Sequence, residues 1–233
     1  KKIHILNVKN TRNNFKYSKY YKYFRCLFLL IKELILNRNS LVFSFQANIY
    51  CIIVSFIFNI KIIVRSNSSP SGWTKKILKN FVFKFFFKFA DLIIVNSYDF
   101  KKQLDKKFNV KSKVIYNPLN INEIKYKSKE NINFKFFKDK KTLKLINVAR
   151  LTDQKDHLTL LKAFSFLNNK IRSKLIIIGY GPNKEKIIRY IKLNKLEDKV
   201  KLLSFKENPF PYIAHSDVFV LLSLYEGLPN VLL

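Results

Sequence analysis

Residues 143–182 read LKLINVARLTDQKDHLTLLKAFSFLNNKIRSKLIIIGYGP, and this stretch decides the fold. The apolar run Leu143 to Val148 predicts a buried strand. A polar loop carrying Arg150 and Lys155 follows, and apolar residues then recur at helical spacing from His157 to Leu167. A second apolar run, Leu175 to Ile178, ends in the turn Gly179-Tyr180-Gly181-Pro182. Strand, helix, strand in this order predicts a parallel sheet with its loops at the carboxyl edge.

The alternation continues downstream with a helix over Lys184 to Asn194, a strand over Val200 to Leu203, a short helix near Phe210 to Ala214 and a strand over Val218 to Leu222. Upstream, an amphipathic helix is expected over Tyr20 to Asn37, then a strand at Leu41 to Phe45. A buried helix from Ala47 to Phe58 and a strand at Lys61 to Arg65 come next. The polar segment Ser66 to Gly72 ends that strand. A basic, aromatic helix from about Thr74 to Phe89 precedes the strand Leu92 to Val95, and a last strand spans Lys113 to Tyr116. Residues 119–142 are rich in Lys and Asn without sustained periodicity and read as a linker. The expected organisation is one α/β unit over 1–118, a linker over 119–142 and a second α/β unit over 143–233.

The chain has 233 residues with 48% apolar, enough to build packed cores. It opens on Lys1, lacks Met and closes on Val231-Leu232-Leu233, and reads as a piece of a longer product, its second unit incomplete and the piece by itself expected to be without enzyme activity. Formal net charge is +30, yet only seven of 45 basic residues are Arg. Readers of nucleic acid lean on Arg for bidentate contacts, so no nucleic-acid partner is expected. Such charge does favour an anionic membrane surface, and the expected location is cytoplasmic, peripheral on the inner face of the membrane. Cys26 and Cys51, in apolar surroundings without metal-site spacing, read as core residues. Leu41 to Val64 is too interrupted by polar residues to span a bilayer.

Several features lie in loops that follow strands, where α/β sheets bind ligands. Arg150 and Lys155 put two cations on one loop, suited to charge developing on a leaving diphosphate or equally to plain solvation. Gly179 and Gly181 permit close approach of a ligand, or serve as punctuation between strand and helix. Ser223-Leu224-Tyr225-Glu226-Gly227-Leu228-Pro229-Asn230 follows the last strand, with Glu226 suited to accept from sugar hydroxyls or equally to plain solvation. Pro229 is suited to open a helix. Lys206-Glu207-Asn208 lines either a base pocket or a surface turn.

Together, Asn147 to Lys155, Ile176 to Pro182, Lys199 to Phe205 and Ser216 to Leu233 resemble the donor domain of family-four retaining glycosyltransferases of the GT-B fold. Ala90 to Ser97 and Val114 to Pro118 are similar to two landmarks of that family's acceptor domain. The resemblance implies two Rossmann-like domains, acceptor side first, and transfer of a hexose from a nucleotide-diphosphate sugar to a polysaccharide or glycolipid acceptor. It implies that Arg150 and Lys155 hold the diphosphate and that Glu226 contacts the sugar. Gly179, Gly181, Lys206, Ser223, Gly227, Leu228 and Pro229 would lie around the donor. Asn67 would stand on the acceptor side. No cofactor beyond the donor substrate and no metal site is implied, and no Asp-x-Asp occurs. Three departures are the family's glycine-rich loop near the start of the acceptor domain, which is not evident here, Ser204, where the family has Gly, and the missing counterpart of an acceptor-domain His. A non-hydrolysing sugar-nucleotide epimerase of the same architecture and a non-catalytic basic binding protein are the alternatives.

Overall fold

The computed structural model describes residues 19–67 except 46, and 77–231 except 133, 138, 140, 227 and 230. They form two compact units, 1–117 and 118–233, each with its own parallel four-stranded sheet.

In the first unit the elements are α1 (Lys19–Leu36), β1 (Val42–Ser44), α2 (Asn48–Ile57), β2 (Ile62–Ser66), α3 (Ile77–Phe86), β3 (Leu92–Val95), α4 (Tyr98–Phe108) and β4 (Ser112–Val114). The sheet runs β1-β2-β3-β4 with every pair parallel. Side chains alternate along β2, so Ile62 and Val64 are buried against Val42, Ile93 and Val95 while Ile63 and Arg65 turn to the other face. Leu34, Ile52, Phe87, Phe100, Leu104 and Phe108 complete this core from the helices.

Two expectations are corrected here. Helix α4 is absent from the sequence reading because eight of its eleven residues are polar or exposed aromatic. Its three buried positions, Phe100, Leu104 and Phe108, recur every fourth residue and suffice to dock it. Ser97 Oγ caps it by accepting from the Phe100 N–H at 3.2 Å, and Asn109 ends it in a left-handed conformation (φ 53°). Cys26 lies exposed on α1 instead of in the core, and Cys51 is only half-buried. The segment Ser68 to Gly72 and the expected helix start at Thr74 lie outside the described residues.

The second unit comprises α5 (Ile121–Ser128), β5 (Leu143–Val148), α6 (His157–Asn168), β6 (Ser173–Ile178), α7 (Lys184–Leu193), β7 (Val200–Leu203), α8 (Phe210–Ala214) and β8 (Val218–Phe219). The sheet order β7-β6-β5-β8 puts β5 and β6 at its centre. Both are covered on both faces, which is why they read as continuous apolar runs. Leu145, Leu175 and Ile177 pack with Leu160, Phe164, Ile187 and Ile191 from α6 and α7. Ile146, Ile176 and Ile178 face the opposite side, against Phe137.

That last residue corrects the expected linker. Residues 119–142 contribute α5, capped by Asn120 Oδ1 accepting from the Glu123 N–H at 3.1 Å, and a short 3-10 turn at Lys135–Phe137. The Phe134 ring lies 5.4 Å from that of Tyr212 on α8. Asn208 Nδ2 donates to the Lys127 carbonyl at 3.0 Å. The Lys- and Asn-rich composition concealed three phenylalanines that cover one face of the sheet.

Candidate functional site

Every strand of the second sheet points its carboxyl end the same way, so the loops after β5, β6 and β8 lie along one edge. The loop after β5 is held from below. Leu151 is fully buried, its N–H donates to the Tyr180 carbonyl at 2.8 Å, and its own carbonyl accepts from the Asn183 N–H at 3.0 Å. The seat for this loop is built by the two glycines. A Cβ on Gly179 would stand 1.9 Å from the Ala149 carbonyl oxygen. On Gly181, where φ is 155°, a Cβ would stand 2.4 Å from that of Leu151. Both glycines therefore touch the chain that carries Arg150.

The loop after β8 is zipped to the same segment from the other side. The Leu224 N–H donates to the Gln154 carbonyl at 2.9 Å, and Gln154 Nε2 donates to the Tyr225 carbonyl at 2.9 Å. Beneath them, buried Asn147 donates through Nδ2 to the Val220 carbonyl at 2.7 Å. These bonds bring Lys155 Nζ onto Glu226 Oε1 as a largely buried ion pair. Arg150, exposed on the same loop, has no side-chain partner among the described residues.

The other candidates sort by position. Ser223 lies in the β8 loop with its Oγ buried and without a hydrogen-bond partner among the described residues. Leu228 and Pro229 follow Glu226 and are half-buried, whereas Gly227 lies outside the described residues. Lys206 follows β7, its ammonium 6.0 Å from the Tyr212 ring, and makes no described contact with Arg150, Lys155 or Glu226. Asn67 belongs to the first unit, where its Oδ1 accepts from Arg65 Nε at 3.1 Å.

Three features escaped the sequence reading. Asp153 accepts from Asn183 Nδ2 at 2.8 Å, which ties the β5 loop to the start of α7. The exposed rings of Tyr180 and Phe205 meet edge to face at 5.8 Å, joining the loops after β6 and β7. His157, at the first turn of α6, is buried with neither ring nitrogen hydrogen-bonded among the described residues. Its burial, and next the Lys155 charge, hold its pKa below the ordinary imidazole value, while Asp156 opposes them. Only proximity in the fold reveals such pairs.

Chemically, Arg150, Lys155 and Glu226 place a guanidinium, an ammonium and a carboxylate on loops fixed by main-chain bonds. Such a set suits a ligand with both anionic oxygens and hydroxyls.

Residues 128–233 match the family model described as Glycosyl transferases group 1. An uncharacterized glycosyltransferase of Methanocaldococcus jannaschii is 36% identical over 180 residues, covering 73% of this chain and 44% of its own length. The N-acetylgalactosamine-N,N'-diacetylbacillosaminyl-diphospho-undecaprenol 4-alpha-N-acetylgalactosaminyltransferase of Campylobacter jejuni is 31% identical over 181 residues, covering 74% of this chain and 47% of its own. The chain thus spans less than half the length of these curated relatives. Among solved structures, HepE of Anabaena in complex with UDP superposes with a TM-score of 0.69 at 18% identity, over 89% of this chain and 59% of that one. The two parallel sheets and this likeness identify the fold as GT-B. The family match and the relatives support a place among the group 1 glycosyl transferases.

Proposed function

We propose, with the likeness to the group 1 glycosyl transferases as the premise, that this chain belongs to a retaining transferase of the family-four type. It moves a hexose from a nucleotide-diphosphate sugar to a polysaccharide or glycolipid acceptor. The observation that carries this reading is the convergence of Arg150, Lys155 and Glu226 on one sheet edge. The UDP bound in the solved Anabaena structure and the diphospho-undecaprenol acceptor in the Campylobacter relative's name support the two substrate classes.

In this reading Arg150 and Lys155 take the donor diphosphate. As the bond from anomeric carbon to diphosphate oxygen breaks, negative charge grows on the departing oxygen. Two fixed cations stabilise that charge more in the transition state than in the ground state. Glu226 accepts from sugar hydroxyls and holds the ring in register with the acceptor. Ser223, Leu228 and Pro229, with Gly227 between them, border the sugar. Gly179 and Gly181 act through the loop they seat, and Lys206 lies toward the nucleoside. Asn67 is assigned to the acceptor side.

The test is to supply the full-length protein that carries this chain with a panel of nucleotide-diphosphate sugars, with and without lipid-linked and glycan acceptors, and to analyse the products by NMR. Acceptor-dependent release of nucleoside diphosphate, with the anomeric configuration kept, is expected. Conversion of the donor to its epimer without acceptor would replace this reading with the epimerase, and no turnover of any donor would replace it with a binding protein.

A further inference from the structure

The first unit carries an exposed aromatic surface that the transfer reaction does not use. On α3, Ile77 is 88% exposed, Leu78 75% and Phe81 69%, and Phe85 follows one turn later on the same side. Phe56, at the end of α2, is 64% exposed, and its ring lies 4.7 Å from that of Phe89, which in turn sits 5.3 Å from Phe85. The rings therefore form one continuous patch across two helices. The inward side of α3 is already occupied, with Phe83 against Phe87 and Phe108. A patch of this kind on an outer helix marks an interaction surface.

Its charge selects the partner. Lys84 and Lys88 lie beside the apolar stripe and are exposed, as is Lys79 on the same helix. No Asp or Glu occurs between Ile77 and Ala90, and Glu33 is the only one between Lys19 and Ala90, against twelve Lys and Arg. An acidic surface that also accepts phenyl rings is the complement. No helix among the described residues is long and apolar enough to cross a membrane, so the arrangement fits a helix lying in a bilayer interface.

We propose that α3 and the end of α2 dock this protein onto an anionic lipid bilayer. Leu78, Phe81 and Phe85 enter the boundary between headgroups and acyl chains. Lys84 and Lys88 extend along it to the lipid phosphates, their stems covering apolar surface. This goes beyond the donor chemistry and holds whether or not Arg150 and Lys155 bind a diphosphate.

The experiment is co-sedimentation of the full chain with vesicles of phosphatidylcholine alone or mixed in equal parts with phosphatidylglycerol. Three variants accompany it: Phe81→Ser with Phe85→Ser, Lys84→Glu with Lys88→Glu, and as control Phe166→Ser with Lys170→Glu on the second unit. The wild type is expected to partition onto anionic vesicles about tenfold more than onto neutral ones. The serine pair, which leaves the net charge untouched, should lose about tenfold. The glutamate pair should lose at least as much, and the control should stay within about twofold. Thermal melts of all variants should match the wild type, because every substituted side chain is exposed. Serine substitution without effect would show that diffuse charge alone attracts the protein and would overturn the proposal. Failure of the wild type to bind anionic vesicles would also overturn it, as would a dimer in sedimentation velocity that the serine pair dissociates, since the patch would then close on a second copy.

Discussion

Lys155 Nζ and Glu226 Oε1 form an ion pair across 71 residues of sequence, joined because the loops after β5 and β8 are hydrogen-bonded to each other. Both side chains are largely buried, at 13% and 24% exposure, so their attraction is less screened than at an open surface. Without substrate, each neutralises the other. In the proposed function, a diphosphate arriving at Lys155 would compete with the Glu226 carboxylate, and a sugar arriving with it would supply hydroxyls for the carboxylate to accept from instead.

In the full-length protein that carries this chain, Lys155→Ala is therefore expected to lower turnover by on the order of 100-fold or more, as loss of a fixed charge-stabilising group does. Steady-state kinetics with the identified donor checks it. A drop below about threefold would remove Lys155 from the proposed role.

Arg150→Ala should raise the KM for donor by about tenfold, and its effect should shrink as salt is added, because the guanidinium is exposed. KM measured at low and high ionic strength checks both halves. An effect independent of salt would point to altered loop structure.

Gly179→Ala tests the seat of the loop. A Cβ placed 1.9 Å from the Ala149 carbonyl forces backbone to move, at a cost of about 3 kcal/mol. Urea unfolding monitored on the chain measures it. A loss under about 0.5 kcal/mol would mean that the loop shifts freely and that the glycine is not its support.

His157 gives the second unit a pH dependence of definite sign. Its folded pKa lies below the ordinary 6.5, from burial first and the Lys155 charge second. Below pH 6.5 the unfolded chain takes up a proton that the folded chain resists. This contribution to stability is thus complete above about pH 6.5 and is lost as pH falls toward the folded value. His157→Leu should flatten the stability profile in that window and leave it unchanged above. Parallel profiles for variant and wild type would refute this.

The GT-B fold was legible where burial is most uniform. The runs Leu143 to Val148 and Leu175 to Ile178 sit at the centre of a sheet covered on both faces, so nearly every residue announces a strand. Legibility fell where few residues carry the packing. Helix α4 docks through Phe100, Leu104 and Phe108 amid lysines, and Phe137 serves the second core from a stretch whose composition resembles a linker. Arg150, Lys155 and Glu226 stood out from motif order, but their mutual geometry could not, since spacing along the chain says nothing of the Gln154 to Tyr225 bond that aligns them. The steric role of Gly179 and Gly181 is likewise a property of a neighbouring loop, invisible in the turn itself.

The most direct measurement of the donor site is equilibrium binding of UDP, and of other nucleoside diphosphates, to the wild type, Lys155→Ala and Glu226→Gln by titration calorimetry. If Lys155 holds the diphosphate and Glu226 holds the sugar, the two substitutions act with opposite sign. Lys155→Ala should raise Kd by about tenfold. Glu226→Gln frees the ammonium, and UDP carries no sugar to miss the carboxylate, so Kd should fall by about threefold. Weakening of similar size in both variants, or no change in either, would contradict the assignment of these residues to the donor.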